Sequence, residues 1–287
     1  MESIESLPQN TDIDQNKILR KVKTNVKKSI SEEIAEMWSD HIRTLVVQGE
    51  FLKLSSIQEE SITWRSIMFE LPKNILQFAV NAAVDTLATN ANLKRWGKRI
   101  NANCQICGSR ETLHHVLNNC SKMLDRYTWR HNSVLNIIFK MINNILPDEY
   151  EIFADLPGHM SGSSTVPHEI LITKFKPDIV VIDRPNFNVI IVELTIPFEM
   201  NIDNAHQRKI TKYQALVHDL EDKGYVVKFY AVEIGSRGFV SKDNFKRLKS
   251  IFHELKSKIS IPDIRSQICK NVLTSSFVIY YSKYDLN

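Results

Sequence analysis

The sequence lacks any long apolar run free of charge, and this shortage excludes a membrane-spanning chain. No stretch approaches the roughly eighteen apolar residues that a membrane helix needs. The opening residues, MESIESLPQNTDIDQN, are polar and acidic, without the basic segment and apolar run of a signal peptide. We therefore expect an intracellular protein.

Cysteine is also scarce, and its placement is uneven. Cys104, Cys107 and Cys120 fall within a short segment, whereas Cys269 stands alone. A disulfide framework would require paired cysteines, so this asymmetry argues against one. The pattern instead predicts a reducing compartment and a bound metal.

Net charge is small. With 37 basic and 33 acidic residues the chain carries +4, too little to establish nucleic-acid binding by itself. Such binding depends on local clusters of Lys and Arg rather than on the total. The basic segment KILRKVKTNVKK (17–28) fits a solvated helix face better than a dedicated DNA contact.

The hydrophobic pattern predicts an α+β protein with a helical front and a mixed α/β back. The domains that we expect are a disordered tail at 1–16, a helical region at 17–100, a cysteine-rich segment with its following helix at 101–145, and an α/β domain at 165–287. The predicted helices are 17–47, 60–87 with a break at Pro72, 121–145, 204–224, 241–259 and 263–284. The predicted strands are 179–183, 189–196 and 226–234. Residues 90–100 are expected to be a basic linker and 156–165 a loop.

Four possible metal ligands share one short segment. Cys104, Cys107, His115 and Cys120 have the spacing C-x2-C-x7-H-x4-C, which suits a tetrahedral zinc site. His114 gives a second possible spacing, so the sequence leaves the histidine open. The alternative, buried free thiols, is less compatible with three cysteines and a histidine so close together.

Two carboxylates stand where consecutive strands bring them together. Asp178 opens the first predicted strand, and Glu193 lies inside the second. Because side chains alternate along a strand, Glu193 shares a face with Thr195 while the opposite face is wholly apolar. A buried glutamate needs a metal ion or a cation as its partner. With an added positive group, such a pair suits metal-dependent phosphodiester cleavage in the PD-(D/E)xK layout of restriction endonucleases.

The lysine of that layout is missing, because its position is Thr195. The next predicted helix offers Lys209 and Lys212, three residues apart on one face. We expect Lys212 to supply the positive charge, with Lys209 as the second choice. A purely structural interpretation remains open, in which Asp178 caps a turn and Glu193 pairs with a core cation.

Seven ordered blocks resemble a known family: the C-terminal part of site-specific non-LTR retrotransposon polyproteins, which carry a restriction-like endonuclease after the reverse transcriptase. The blocks run from about residue 64 towards the C-terminus. They are LATNANLKRWGK, CQICGSRETLHHVLNNC, RHN, KPDIVV, VELTIPFE, RKITKYQAL and AVEIGSRGF. No reverse-transcriptase palm is visible, so the chain resembles the tail of such a polyprotein, whether as a fragment, a degenerate copy or a derived host gene.

The resemblance implies particular site residues. It selects His115 as the zinc ligand, makes Asp178 and Glu193 the carboxylates for catalytic Mg²⁺ or Mn²⁺, and makes Lys212–Tyr213 a catalytic helix pair. It also implies nucleic-acid contacts by Arg130 and His131 of the RHN block, and by Arg237 of the SRGF turn.

The function that follows is nicking of double-stranded DNA. In the family this nick primes reverse transcription of the element RNA, which places the expected activity in the nucleus. We expect four cations before the first cysteine to help hold phosphates. They are Lys94, Arg95, Lys98 and Arg99. The alternative is a non-catalytic, zinc-dependent nucleic-acid-binding module.

Overall fold

The structure, a computed structural model, describes residues 11–57, 67–255 and 261–283. Sequence predictions for residues 1–10 and 58–66, and for parts of the last two helices, lie outside these ranges. The chain divides into two compact units, Met1–Glu50 and Phe51–Asn287.

The first unit contains one long helix, α1 (Thr11–Thr44), close to the predicted 17–47. Its apolar positions are about half exposed, for example Val22, Val26 and Ile30. The cations of 17–28 are exposed as well, as expected for a solvated helix face.

Seven further helices are described. They are α2 (Glu50–Ile57), α3 (Lys73–Ala83), α4 (Asn90–Arg95), α5 (Leu124–Asn143), α6 (Ile202–Asp222), α7 (Lys242–Glu254) and α8 (Ile261–Ser282). The predicted break at Pro72 is confirmed, since α3 begins directly after it. None of the described helices is both long and apolar enough to cross a membrane.

The linker predicted at 90–100 is partly wrong, because α4 occupies its first half. The hydroxyl of Thr89 accepts a hydrogen bond from the backbone N–H of Asn92 and caps this helix. Asn90 and Asn92 are buried, and the Asn90 amide donates to Glu111. These tertiary bonds stabilise a short helix that the polar sequence does not reveal.

Four strands form a mixed sheet in the order β1-β2-β3-β4. Their bounds are β1 Tyr150–Ala154, β2 Ile179–Asp183, β3 Asn188–Thr195 and β4 Val226–Glu233. β2 pairs antiparallel with both β1 and β3, and β3 pairs parallel with β4. The three predicted strands are confirmed within one or two residues, whereas β1 was not predicted.

Helices cover both faces of this sheet. The apolar face of β3 packs in one core with residues of α5, α7 and α8. On the opposite face, Tyr213, Leu216 and Leu220 of α6 pack on β2 and β3. Glu193 belongs to the α6 side, as its place in the strand alternation requires. The helix expected to belong with the cysteine-rich segment, α5, therefore lies directly against the sheet.

Candidate metal and nucleic-acid site

The cysteine-rich segment folds into a compact ligand set. One ligand atom from each of Cys104, Cys107, His115 and Cys120 lies within 4.8 Å of the others. Ligands of a tetrahedral zinc, with bonds of about 2.3 Å, lie roughly 3.8 Å apart, so the set fits zinc. Within the described ranges, it is the one group of three or more His, Cys or carboxylate ligands that meets this distance.

A tight turn brings the first two cysteines together. The backbone N–H of Gly108 donates to the carbonyl of Cys104 at 2.9 Å, and Cys104 N–H donates to Ser109 O at 2.7 Å. Gly108 has φ +79°, a left-handed conformation that residues with a Cβ rarely adopt. The turn therefore needs glycine immediately after the second cysteine.

The other two ligands flank a single π-helical turn, His115–Asn119. Tyr127 of α5 braces this turn, because its hydroxyl donates to the carbonyls of His115 and Val116 and accepts from Cys120 N–H. Burial raises the pKa of the Cys120 thiol to about 12 without a metal. A positive ion is therefore the natural partner for the Cys120 thiolate.

The structure separates the two neighbouring histidines. His115 Nε2 lies 3.3 Å from Cys107 Sγ, inside the ligand set. His114 points away, with Nε2 3.2 Å from the Asn201 amide nitrogen and its ring against Phe198. The choice of His115 agrees with this geometry.

Asp178, the residue before β2, and Glu193, in β3, lie side by side and are buried, with 7% and 1% of their residue surfaces exposed. The backbone N–H of Asp178 donates to Glu193 Oε2 at 3.1 Å. The backbone N–H of Leu194 donates to Asp178 Oδ2 at 2.6 Å. Burial, followed by the charge of Asp178, raises the pKa of Glu193 to about 7.

Of the two lysines, Lys209 contacts the glutamate, forming an ion pair with Glu193 Oε1. Lys212 is exposed and bonds to the hydroxyl of Tyr213, 2.9 Å away. That hydroxyl donates in turn to the carbonyl of Lys176 at 2.8 Å. Lys209, our second choice, is thus the lysine that reaches the buried carboxylate, because the buried stripe of α6 directs residue 209, not 212, towards β3. Which lysine acts in catalysis stays a prediction.

The periodicity of α6 already contains this signal. Its buried residues are Ile202, Ala205, Tyr213, Leu216 and Leu220. Position 209 completes this series at helical spacing, between 205 and 213. A lysine inside a buried stripe is the one expected to meet a buried carboxylate.

His131 joins the carboxylates from α5. Its Nε2 lies 3.3 Å from Asp178 Oδ2 and 3.2 Å from the carbonyl of Leu194. Burial alone would lower the pKa of His131, but the hydrogen bond and charge of Asp178 raise it to about 9. The structure therefore places this residue of the RHN block beside the carboxylate pair.

Beside this pair lies a cleft of about 740 Å³. Four segments bound it: the turn around His115–Asn119, the start of α5, the end of β3 with the residues after it, and the start of α6. Most of its polar lining is basic or carboxamide, with Asp155 as the acidic residue among the described lining residues. The basic and amide members are His114, Asn118, Asn119, Arg130, His131, Asn132, Asn201, Asn204, Arg208 and Lys209.

Two predicted nucleic-acid contacts are inaccessible. Arg130 is 1% exposed, and its guanidinium donates to Ser276 Oγ and to the carbonyl of Leu117. Arg237 is 2% exposed and pairs with Glu199 at 2.6 Å. Because phosphate contacts require a side chain at the surface, the prediction for these arginines is corrected to a structural role.

The four cations of the expected linker are exposed. Lys94 and Arg95 end α4, and Lys98 and Arg99 follow it. The described lining of the cleft does not include them. Their role as phosphate contacts stays a prediction.

Comparison with known proteins supports the zinc site. Residues 49–129 match the family described as zinc-binding in reverse transcriptase. No curated protein matches the chain. Among solved structures, the chain is similar to an N-terminal domain of a reptarenavirus L protein, at 15% identity, covering 70% of this chain and 94% of that one. The TM-score of 0.29 is too low to establish a common fold.

Proposed function

We propose that the chain is a metal-dependent endonuclease that nicks DNA. One observation carries this proposal: Asp178, just before β2, and Glu193, in the antiparallel neighbour β3, are buried side by side, and Lys209 and His131 are the cations against them. Burying two carboxylates is costly, and a hydrophobic core gains nothing from them. A site that collects two carboxylates and two cations beside an open cleft is typical of catalysis.

The donor set fits a hard divalent cation. Mg²⁺ is commonly bound by one or two carboxylates, with waters and substrate phosphates completing its shell, and Mn²⁺ takes similar ligands. When bound, the ion lowers the pKa of a water and polarises the phosphate. Asp178 and Glu193 would hold it, while Lys209 would balance the charge that develops on the phosphate.

The cleft supplies the room for a nucleic-acid strand. Apart from the buried Arg130, its basic and amide lining suits phosphates and base edges. We propose that the target is double-stranded DNA in the nucleus. The nick would prime reverse transcription of an element RNA by a reverse transcriptase, which the described residues do not include. The match of residues 49–129 to a reverse-transcriptase-associated zinc segment supports this setting.

A second candidate is a non-catalytic nucleic-acid-binding module. It is favoured by the metal geometry, because the described residues gather a tight ligand set around Cys107 but not around Asp178. In this case the zinc segment would bind nucleic acid, and the carboxylates would be remnants of a nuclease site that no longer acts.

Plasmid nicking separates the two candidates. The zinc-loaded chain is freed of other divalent ions by dialysis and mixed with supercoiled plasmid, with and without Mg²⁺ or Mn²⁺. We expect open-circular product only with the added ion, and none with Glu193→Gln. Tight DNA binding without nicking in either ion would favour the binding module.

A further inference from the structure

The long helix α1 carries an exposed apolar stripe. Its six side chains recur every three or four residues, and each is 47–60% exposed. The members of this α1 stripe are Leu19, Val22, Val26, Ile30, Ile34 and Met37. None of the four hydrophobic cores formed by the described residues includes a residue before Phe51. Because helices in proteins gain most of their stability by burying such a face, the stripe marks an interaction surface.

The spacing within the α1 stripe is the same from either end: three, four, four, four and three residues. The five steps cover eighteen residues, an average of 3.6, which is the repeat of a straight α-helix. The stripe therefore stays within an arc of about 120° on one face. Because the spacing is symmetric about residue 28, two antiparallel copies present the same pattern to each other. Leu19 then lies level with Met37 of the second copy, and Val22 with Ile34.

The charges of α1 are divided between its two halves. The six cations of 17–28 precede four anions, Glu32, Glu33, Glu36 and Asp40, and all ten side chains are exposed. A surface of one sign, such as a phosphate backbone or an anionic membrane, attracts one half of this helix and repels the other. An antiparallel second copy suits both halves, because it places its anions beside the cations of the first.

Two charged residues near the edges of the α1 stripe distinguish the two possible directions of such a pair. Lys23 and Glu33 lie five residues on either side of residue 28, each about 40° from the middle of the arc. In the antiparallel pair, Lys23 of each copy lies level with Glu33 of the other. A parallel pair in register would instead place like charges level with each other, which costs free energy.

We propose that α1 is a dimerisation helix, which pairs antiparallel with α1 of a second copy of this chain. The pair is two-fold symmetric, so every contact between the copies occurs twice. With Ile18 and Trp38 at its ends, the half-exposed stripe offers an area on the order of the ~800 Å² that each partner contributes to a standard interface. This inference is independent of the proposed function, because it concerns neither the zinc segment nor the carboxylates.

The test measures self-association of the full chain by sedimentation velocity over a concentration series without DNA. We expect a concentration-dependent species of twice the 33.2 kDa mass of the chain. Val26→Glu places a charge in the middle of the paired stripe and should raise the dissociation constant of the dimer by at least about tenfold. Thr24→Glu adds the same charge on the far side of α1 and is the matched control, with an expected change below about threefold.

Charge reversal at Lys23 and Glu33 tests the direction of the pair. Lys23→Glu should weaken the dimer by about fivefold at low salt, because the new carboxylate meets Glu33 of the other copy at both ends. Adding Glu33→Lys to the same chain should restore the parent dissociation constant, since each pair again joins opposite charges. In a parallel pair, Lys23→Glu would replace one pair of like charges with another and change little.

Circular dichroism and zinc content check that each variant is folded. A parent chain that stays monomeric at every concentration would overturn the pairing and leave another protein, or another part of this chain, as the partner of the α1 stripe. A dimer that tolerates Val26→Glu would overturn it as well, because the contact would then lie elsewhere. A dimer weakened by Val26→Glu but not by Lys23→Glu would overturn the antiparallel direction. Failure of plasmid nicking would not affect these outcomes, because none of them depends on DNA cleavage.

Discussion

Asp178 and Glu193 are joined by a hydrogen bond that crosses between their strands. The backbone N–H of Asp178, the residue before β2, donates to Glu193 Oε2 at 3.1 Å, and the residue after the glutamate, Leu194, returns a bond to Asp178 Oδ2. Each carboxylate is thus oriented by a backbone N–H from the segment that carries the other. This arrangement leaves Glu193 Oε1 to Lys209, and a divalent ion would compete for that oxygen.

The first prediction concerns these carboxylates. Asp178→Asn and Glu193→Gln should each reduce nicking by at least about 100-fold, because each removes a charged ligand of the ion. DNA binding should persist, since the site becomes less negative. Plasmid nicking and a binding titration on the same samples measure both. Full activity in either variant would remove the carboxylates from the mechanism.

The second prediction compares the two lysines. Lys209→Ala should lower the nicking rate by about 100-fold or more, because it removes the cation against Glu193. Lys212→Ala should lower it by less than about tenfold, since its ammonium bonds to the hydroxyl of Tyr213 and not to either carboxylate. The two variants, measured side by side at saturating DNA, control for each other. The reverse order would restore the sequence-based choice of Lys212.

Much of the α/β region could be predicted from sequence, because buried strands and amphipathic helices have strong periodicities. The face of Glu193 follows from alternation alone, and the structure agrees. β1 (Tyr150–Ala154) escaped prediction because most of its residues are only half-buried and it follows directly on a loop after Pro147. Edge strands of this kind carry a weak pattern.

Other features depend on tertiary contacts that no local pattern contains. The burial of Arg237 depends on Glu199, and α4 depends on Glu111, whose carboxylate accepts from the Asn90 amide. The sequence did, however, contain the information needed to choose between Lys209 and Lys212, because Tyr213 and the other buried residues at helical spacing mark the buried side of α6. The expectation of Lys212 compared only the two lysines and agreed with the family resemblance, whereas the helical periodicity of the buried residues favours Lys209.

The third prediction tests the zinc ligands with adjacent histidines. His115→Ala should lose most of the zinc and lower the melting temperature, because the site closes the turn around Cys107. His114→Ala should keep about one zinc per chain, since this ring faces Asn201. Metal analysis after gel filtration measures the zinc content of each variant. Zinc retained at full occupancy in the His115 variant, or lost from the His114 variant, would assign the wrong histidine.

The fourth prediction concerns the exposed cations around α4. Replacing Lys94, Arg95, Lys98 and Arg99 together with Ala should weaken DNA binding and flatten its dependence on salt, because each phosphate contact adds to the slope. The slope of log affinity against log salt should fall by about one for each lost contact. The control is a variant in which four of the exposed cations of 17–28 are replaced with Ala. Equal slopes in parent and variant would show that residues 94–99 are only solvated surface.

The last prediction separates a buried arginine from an exposed one. Arg237 pairs with Glu199, donates to the carbonyl of Ala82, and has its guanidinium 4.4 Å and 4.1 Å from the ring centres of Phe51 and Phe198. Removing one member of such a buried pair leaves an unpaired charge and costs about 3–5 kcal/mol. Arg237→Met should therefore lower the free energy of unfolding by that amount.

DNA binding supplies the contrast. Per folded molecule, Arg237→Met should bind as the parent does, because the guanidinium is too deeply buried to reach a phosphate. Arg208→Ala, exposed on α6 and lining the cleft, should leave stability within about 0.5 kcal/mol and lower the salt slope by about one. Urea unfolding measures the stability of each variant, and salt titrations measure the DNA affinity of each variant and its salt dependence. Normal stability with weakened binding in the Arg237 variant would return this residue to the nucleic-acid surface, because only an accessible guanidinium produces that combination.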